Sequence, residues 1–340
     1  MPSFDKTGPA IDPILLKVLD KVPFRFSADD GVEVVRQRLH DLPRRPVHPD
    51  LRVEDTSIGG PAGTIGIRIY WPPHALEAAL PVVLYFHGGG FVAGDLDTHD
   101  DTCRQHAVGA DAVVVSVDYR LAPEHPYPAA VEDAWAATQW LAEHGDELGA
   151  DPARCAVAGD SAGGTLSAVV AQRARDEGGP PLAFQLLWYP STLWDTSLPS
   201  FTENASAPIL DRAAVAAFSR WYAGELDLAN PPPGLAPGRA ANLGGLPPAY
   251  IAVAGHDPLR DDGIRYGELL AAAGVPVEVH SAETLVHGYL GYAGVVPAAT
   301  EAMDRGLVAL RKALHHPKTT GFGCFSGPAD TRWARRRANV

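Results

Sequence analysis

The chain has 340 residues, 46% of them hydrophobic and 20% charged, with a formal charge of −13 at pH 7. That length and apolar content support a large buried core, and the acidic balance argues against a nucleic-acid partner, which would need a basic face. Three scattered cysteines, Cys103, Cys155 and Cys324, are too few for a disulfide framework or a zinc site, and no apolar run reaches the ~20 residues that span a bilayer.

Met1-Pro2-Ser3-Phe4-Asp5-Lys6 lacks the basic and apolar regions of a secretory signal, so a reducing cytoplasm is the expected setting. Residues 1–50 read as helical pieces broken by prolines. Ile14, Leu15, Val18 and Leu19 share one face at helical spacing, and 31–42 makes a second helix that Pro43 ends. Residues 51–70 alternate as antiparallel strands around the turn Gly59-Gly60-Pro61-Ala62-Gly63. Strands are expected over 82–86, 112–117, 155–158, 184–188, 250–254 and 277–280, with helices between them that include 129–144 and 163–175. This alternation predicts a mostly parallel sheet covered on both faces. Residues 190–246 break the rhythm. They hold one helix over 211–222 with Asp211 as N-cap, then the turn Pro231-Pro232-Pro233-Gly234. An insertion at this point is where a lid would sit. Residues 317–340, rich in Gly, Pro, Lys and Arg, read as a poorly ordered tail.

Chemistry concentrates where expected strands end. His87-Gly88-Gly89-Gly90-Phe91 follows the first buried strand, and consecutive glycines let several N–H groups turn toward one point. Gly159-Asp160-Ser161-Ala162-Gly163 has the strand–turn–helix setting of a nucleophile elbow, with a helix N-terminus behind Ser161. Asp257 follows the strand at 250–254, and His287 follows the last strand. The order Ser161, Asp257, His287 fits a nucleophile, an orienting acid and a general base. The N–H groups of Gly88, Gly89 and Ala162 are the expected oxyanion donors. Asp261 and Asp262 are expected to cap the next helix and complement its dipole, and His87 to shape the glycine loop. Asp160 stands beside the nucleophile, and its direction is left open between the oxyanion loop and the base.

These motifs, with Asp118-Tyr119-Arg120-Leu121-Ala122-Pro123-Glu124 between them, resemble the hormone-sensitive lipase family of α/β-hydrolases, on its bacterial family IV carboxylesterase branch. The likeness runs to about Leu314. Thr165 and Tyr289 stand where that family often carries Asn and Phe. The resemblance implies an α/β-hydrolase fold with a helical cap: 1–50 as an N-terminal cap segment, 51–190 and 247–315 as the two parts of the core, 191–246 as a cap or lid insertion, and 316–340 as tail. It implies a serine carboxylesterase acting on small-molecule esters of short to medium acyl chains, through an acyl-enzyme and with no cofactor or metal. An amidase or lactonase would use the same residues, and a small-molecule receptor could share the fold. An edge strand leaves a homodimer open.

Overall fold

The computed structural model describes residues 8–27, 29–44, 47–73 and 79–316. Apart from His316, the expected tail lies outside these residues, as does Cys324. Helices α1 (Pro13–Lys21) and α2 (Val32–His40) lead into the antiparallel pair β1 (Arg52–Gly60) and β2 (Gly63–Trp71). Then follow β3 (Leu80–Phe86), α3 (Asp100–Ala110), β4 (Val113–Asp118), α4 (Ala129–His144), β5 (Ala150–Asp160), α5 (Ala162–Asp176) and β6 (Phe184–Trp188). Helices α6 (Pro199–Glu203) and α7 (Arg212–Ala223) interrupt the alternation, which resumes with β7 (Ala249–His256), α8 (Arg260–Ala272), β8 (Val277–Val286) and α9 (Pro297–His315).

The strands form an eight-stranded sheet in the order β1-β2-β4-β3-β5-β6-β7-β8. Every pair from β4 to β8 is parallel, and β2 meets β4 antiparallel. The period-two alternation of a strand splits the core in two. Val82, Leu84 and Phe86 of β3 join α4, α5 and α8 on one face, while Val83 and Tyr85 join α3 and α9 on the other. Both faces are covered, which is why the central strands read as nearly continuous apolar runs. The parallel strands all end at one edge of the sheet, where the glycine loop, Ser161, Asp257 and His287 lie.

Local chemistry explains the element ends nearest that edge. Asp12 caps α1 by accepting from the N–H groups of Ile14 and Leu15. Asp211 caps α7 by accepting from Ala214 N–H (2.7 Å) and also pairs with Arg25. Asp261 and Asp262 both stand in the first turn of α8, where they complement its dipole, but the capping expectation for them is overturned. Leu259 occupies the N-cap of α8 without a side-chain cap bond. Asp262 is fully buried and accepts instead from the Thr192 hydroxyl (2.6 Å) and the N–H groups of Thr192, Leu193 and Trp194. Asp261 accepts from Ser200 N–H (2.9 Å) and pairs with Arg260. Both carboxylates tie the 191–200 segment to α8, because a buried acid finds more donors there than a single helix end offers. No described helix is long and apolar enough to cross a membrane.

Candidate active site

Ser161 sits between the end of β5 and the first residue of α5 with φ 53° and ψ −117°. An L-residue is strained there, and the surrounding structure imposes the geometry. Ser161 N–H donates to the Trp188 carbonyl on the neighbouring strand (2.8 Å). A Cβ added at Gly163 would stand 1.8 Å from the Phe86 carbonyl oxygen, so α5 can leave the sheet this closely only with glycine at that position.

The last strand carries His287 to the same point. Its Nε2 lies 2.9 Å from Ser161 Oγ, and its Nδ1 lies 2.6 Å from Asp257 Oδ2. Asp257 is fully buried, and its other oxygen accepts from Leu259 N–H (2.8 Å). With Nδ1–H donating to Asp257, Nε2 presents a lone pair to the Ser161 hydroxyl; this tautomer is assigned from the hydrogen-bond network. Asn204 donates to the Asp257 backbone carbonyl (3.1 Å), and the Tyr189 ring packs against the imidazole with centroids 4.8 Å apart. The structure therefore brings together the three side chains singled out in the sequence. The arrangement can move a proton from Ser161 to His287 while Asp257 holds the imidazole.

The oxyanion expectation needs one correction. Gly88 N–H points into the protein and donates to Asp160 Oδ1 (3.0 Å), with His99 Nε2 as a second acceptor at 3.3 Å. It is therefore not available to a substrate. Gly89 (φ 117°) and Gly90 (φ 64°) turn the chain the other way and line the cavity above Ser161, together with Ala162. The N–H groups of Gly89 and Gly90 have no acceptor among the described residues. Ala162, at the start of α5, lines the same cavity.

The side of the loop turned away from the cavity is tied down. Tyr119 donates to the His87 carbonyl (2.7 Å) and its ring stacks on the His87 imidazole (4.2 Å). Ala122 N–H donates to the Phe91 carbonyl (2.9 Å). Arg36 of α2 reaches the carbonyls of Val92 and Ala122 and pairs with Glu124. The stretch 118–124 is thus a buttress of the glycine loop. Burial pushes His87 down to about 4, so this histidine is neutral and packs the loop. Burial pushes the Asp160 carboxyl up, but the neighbouring His99 imidazole and the hydrogen bond from the Tyr85 hydroxyl more than offset it and leave it below its ordinary value. Sequence reasoning left the direction of Asp160 open and missed His99, Tyr85 and Gly90. His99 is the N-cap residue of α3, a position that carries no local signal of its reach to the glycine loop.

A cavity of about 370 Å³ opens over Ser161 and His287. Val18, Val22, Phe24 and Phe26 from the N-terminal segment and Val215 and Phe218 from α7 line it with apolar surface. Thr102 and Gln105 of α3 add polar groups on another wall. Such a cavity, apolar with a few polar groups, suits a small organic molecule.

A family model described as the alpha/beta hydrolase fold matches residues 83–291. Two Mycobacterium tuberculosis proteins are similar over almost their whole length. Esterase LipI is 79% identical over 319 residues, which cover 93% of this chain and all of LipI. Carboxylesterase NlhH is 60% identical over 312 residues, covering 90% of this chain and 97% of NlhH. Among solved structures, an esterase from Pyrobaculum calidifontis superposes with a TM-score of 0.81 at 39% identity, over 89% of this chain and 98% of that one.

Proposed function

The chain belongs to the α/β-hydrolase family, on its hormone-sensitive-lipase-like esterase branch, and from that premise we propose how its residues carry ester hydrolysis. The protein is a carboxylic ester hydrolase. The observation that carries the reading is His287 between Ser161 Oγ at 2.9 Å and Asp257 Oδ2 at 2.6 Å, at the floor of a substrate-sized cavity.

Ser161 Oγ attacks the ester carbonyl as His287 Nε2 takes its proton. Asp257 fixes the tautomer and stabilises the imidazolium. Negative charge gathers on the former carbonyl oxygen, where the N–H groups of Gly89, Gly90 and Ala162 receive it. His287 then protonates the leaving alkoxide, and the acyl group stays on Ser161. Water, activated by the same histidine, releases the acid and restores the serine. The base must carry a free lone pair on Nε2 to accept that first proton, which the hydrogen bond from Nδ1–H to Asp257 provides.

A cavity near the low end of the ~300–1,000 Å³ found for ligand sites supports short to medium acyl chains. The N-terminal segment and the 191–246 insertion act as its cap in this reading, supported by the residues each lends to the cavity wall. A reducing cytoplasm is the compartment we assign, supported by the unpaired, buried Cys103 and Cys155.

Hydrolysis of p-nitrophenyl butyrate by the wild-type protein and by Ser161→Ala tests the assignment. The expected result is turnover by the first and a fall in kcat of about 10⁴-fold or more in the second. Comparable turnover by both would move the nucleophile elsewhere.

A further inference from the structure

We propose that Asp160 is a positioning residue for the oxyanion site: its carboxylate holds the Gly88 peptide inward, and this sets the Gly89 and Gly90 N–H groups on the acyl oxygen. The inference rests on the esterase reading and concerns a side chain that takes no part in proton transfer.

Asp160 is 8% exposed, and one of its oxygens collects three neighbours. Oδ1 accepts from Gly88 N–H at 3.0 Å and from the Tyr85 hydroxyl at 2.8 Å, and His99 Nε2 lies 3.4 Å away. The other oxygen occupies the space a side chain at Gly88 would need, since a Cβ added there would stand 2.3 Å from Oδ2. One residue further on, the backbone reverses through the positive φ values of Gly89 and Gly90. A peptide whose N–H is pinned inward leaves its successors to face outward, so the bond to Gly88 chooses which donors the substrate meets.

Electrostatics alone would not place a carboxylate here. A negative charge one residue from Ser161 repels a developing oxyanion, and in a buried site that repulsion is poorly screened. Its presence makes sense if the geometric gain exceeds the field's cost. Preorganised donors act only when they already point at the place where charge appears, and losing one costs about 10²–10³-fold in rate. Asp160 adjoins Ser161 in the chain, so the residue that aims the donors is fixed to the residue that attacks.

The test compares wild type, Asp160→Asn, Asp160→Ala and Ser161→Ala on p-nitrophenyl butyrate, with a trifluoromethyl ketone as a mimic of the tetrahedral adduct. Asn keeps a carbonyl acceptor for Gly88 and Tyr85 and is expected to hold kcat within about 10-fold; Ala removes it and is expected to lower kcat by about 100-fold with KM within about 3-fold. The ketone should lose affinity in parallel with kcat. Folded Asp160→Ala with wild-type kcat and ketone affinity would overturn the proposal while leaving the nucleophile standing, provided Ser161→Ala is inactive. An active Ser161→Ala would sink the underlying reading instead. Should Asp160→Ala fail to fold, amide exchange on ¹⁵N-glycine-labelled wild type decides. Gly88 is expected to be protected, with Gly89 and Gly90 exchanging fast until the ketone binds. A Gly88 amide exchanging as fast as Gly89 would refute the pinning directly.

Discussion

Buried histidines make the acid side of this protein's stability predictable at the residue scale. Burial pushes both His87 and His106 down to about 4. His106 is locked neutral by its partners: Nδ1–H donates to the Thr102 carbonyl (2.7 Å), and Nε2 accepts from the Trp188 indole (3.0 Å). In the unfolded chain each histidine takes up a proton near its ordinary 6.5, whereas the folded state resists until about 4. Stability from both is therefore intact above 6.5 and is lost as pH falls toward 4, by roughly 3 kcal/mol each. Asp262 works in the opposite sense, because burial pushes its carboxyl up to about 6 and the folded state takes that proton first as pH falls. Asp118 is pushed up in the same way to about 6, but it is exposed and counts for less, while burial also lowers His280, so a net loss remains. Urea unfolding at pH 7 and pH 4.5 should show the protein weaker in acid by roughly 2 kcal/mol or more. Equal or greater stability at pH 4.5 would contradict the neutral assignment of these rings.

At the scale of elements, α9 and β6 approach so closely that helix propensity gives the wrong answer. Gly306 lies mid-helix, where alanine would ordinarily gain about 1 kcal/mol. A Cβ there would stand 2.3 Å from the ring of Trp188, which is fully buried and held by its bond to His106. Overpacking costs about 1–3 kcal/mol, so the clash wins and Gly306→Ala should lower stability by about 1–2 kcal/mol in denaturant melts. A gain in stability would show that Trp188 can move. Contacts of this kind also mark where the sequence was legible and where it was not. The strand ending at Phe86, the inner part of β5 over 155–158, and the residues Ser161, Asp257 and His287 beyond strand ends were readable because periodicity and glycine punctuation are local signals. The inward turn of Gly88 was not, because which peptide of a glycine run faces the protein depends on Asp160 and His99, from other elements. Asp261 and Asp262 misled for a related reason. Their position at a helix start is a local cue, but the donors that claimed them lie 60 to 70 residues away.

Across the whole molecule, a single sheet edge gathers every group the chemistry uses, and the stability of the rest holds that edge in place. Ser161 is the point where the demand is highest, at φ 53° and ψ −117°. Such a conformation costs about 1–3 kcal/mol in a residue with a Cβ and little in glycine. Glycine would loosen the unfolded chain by roughly 0.5–1 kcal/mol, so Ser161→Gly should be inactive yet more stable by about 1 kcal/mol, melting roughly 1–3 °C higher. A lower melting temperature would mean that the elbow is relaxed. The protein is thus poised away from its own thermal optimum at the residue that defines it. Selection for heat tolerance alone would drift off serine here, and only continued demand for turnover keeps the position occupied.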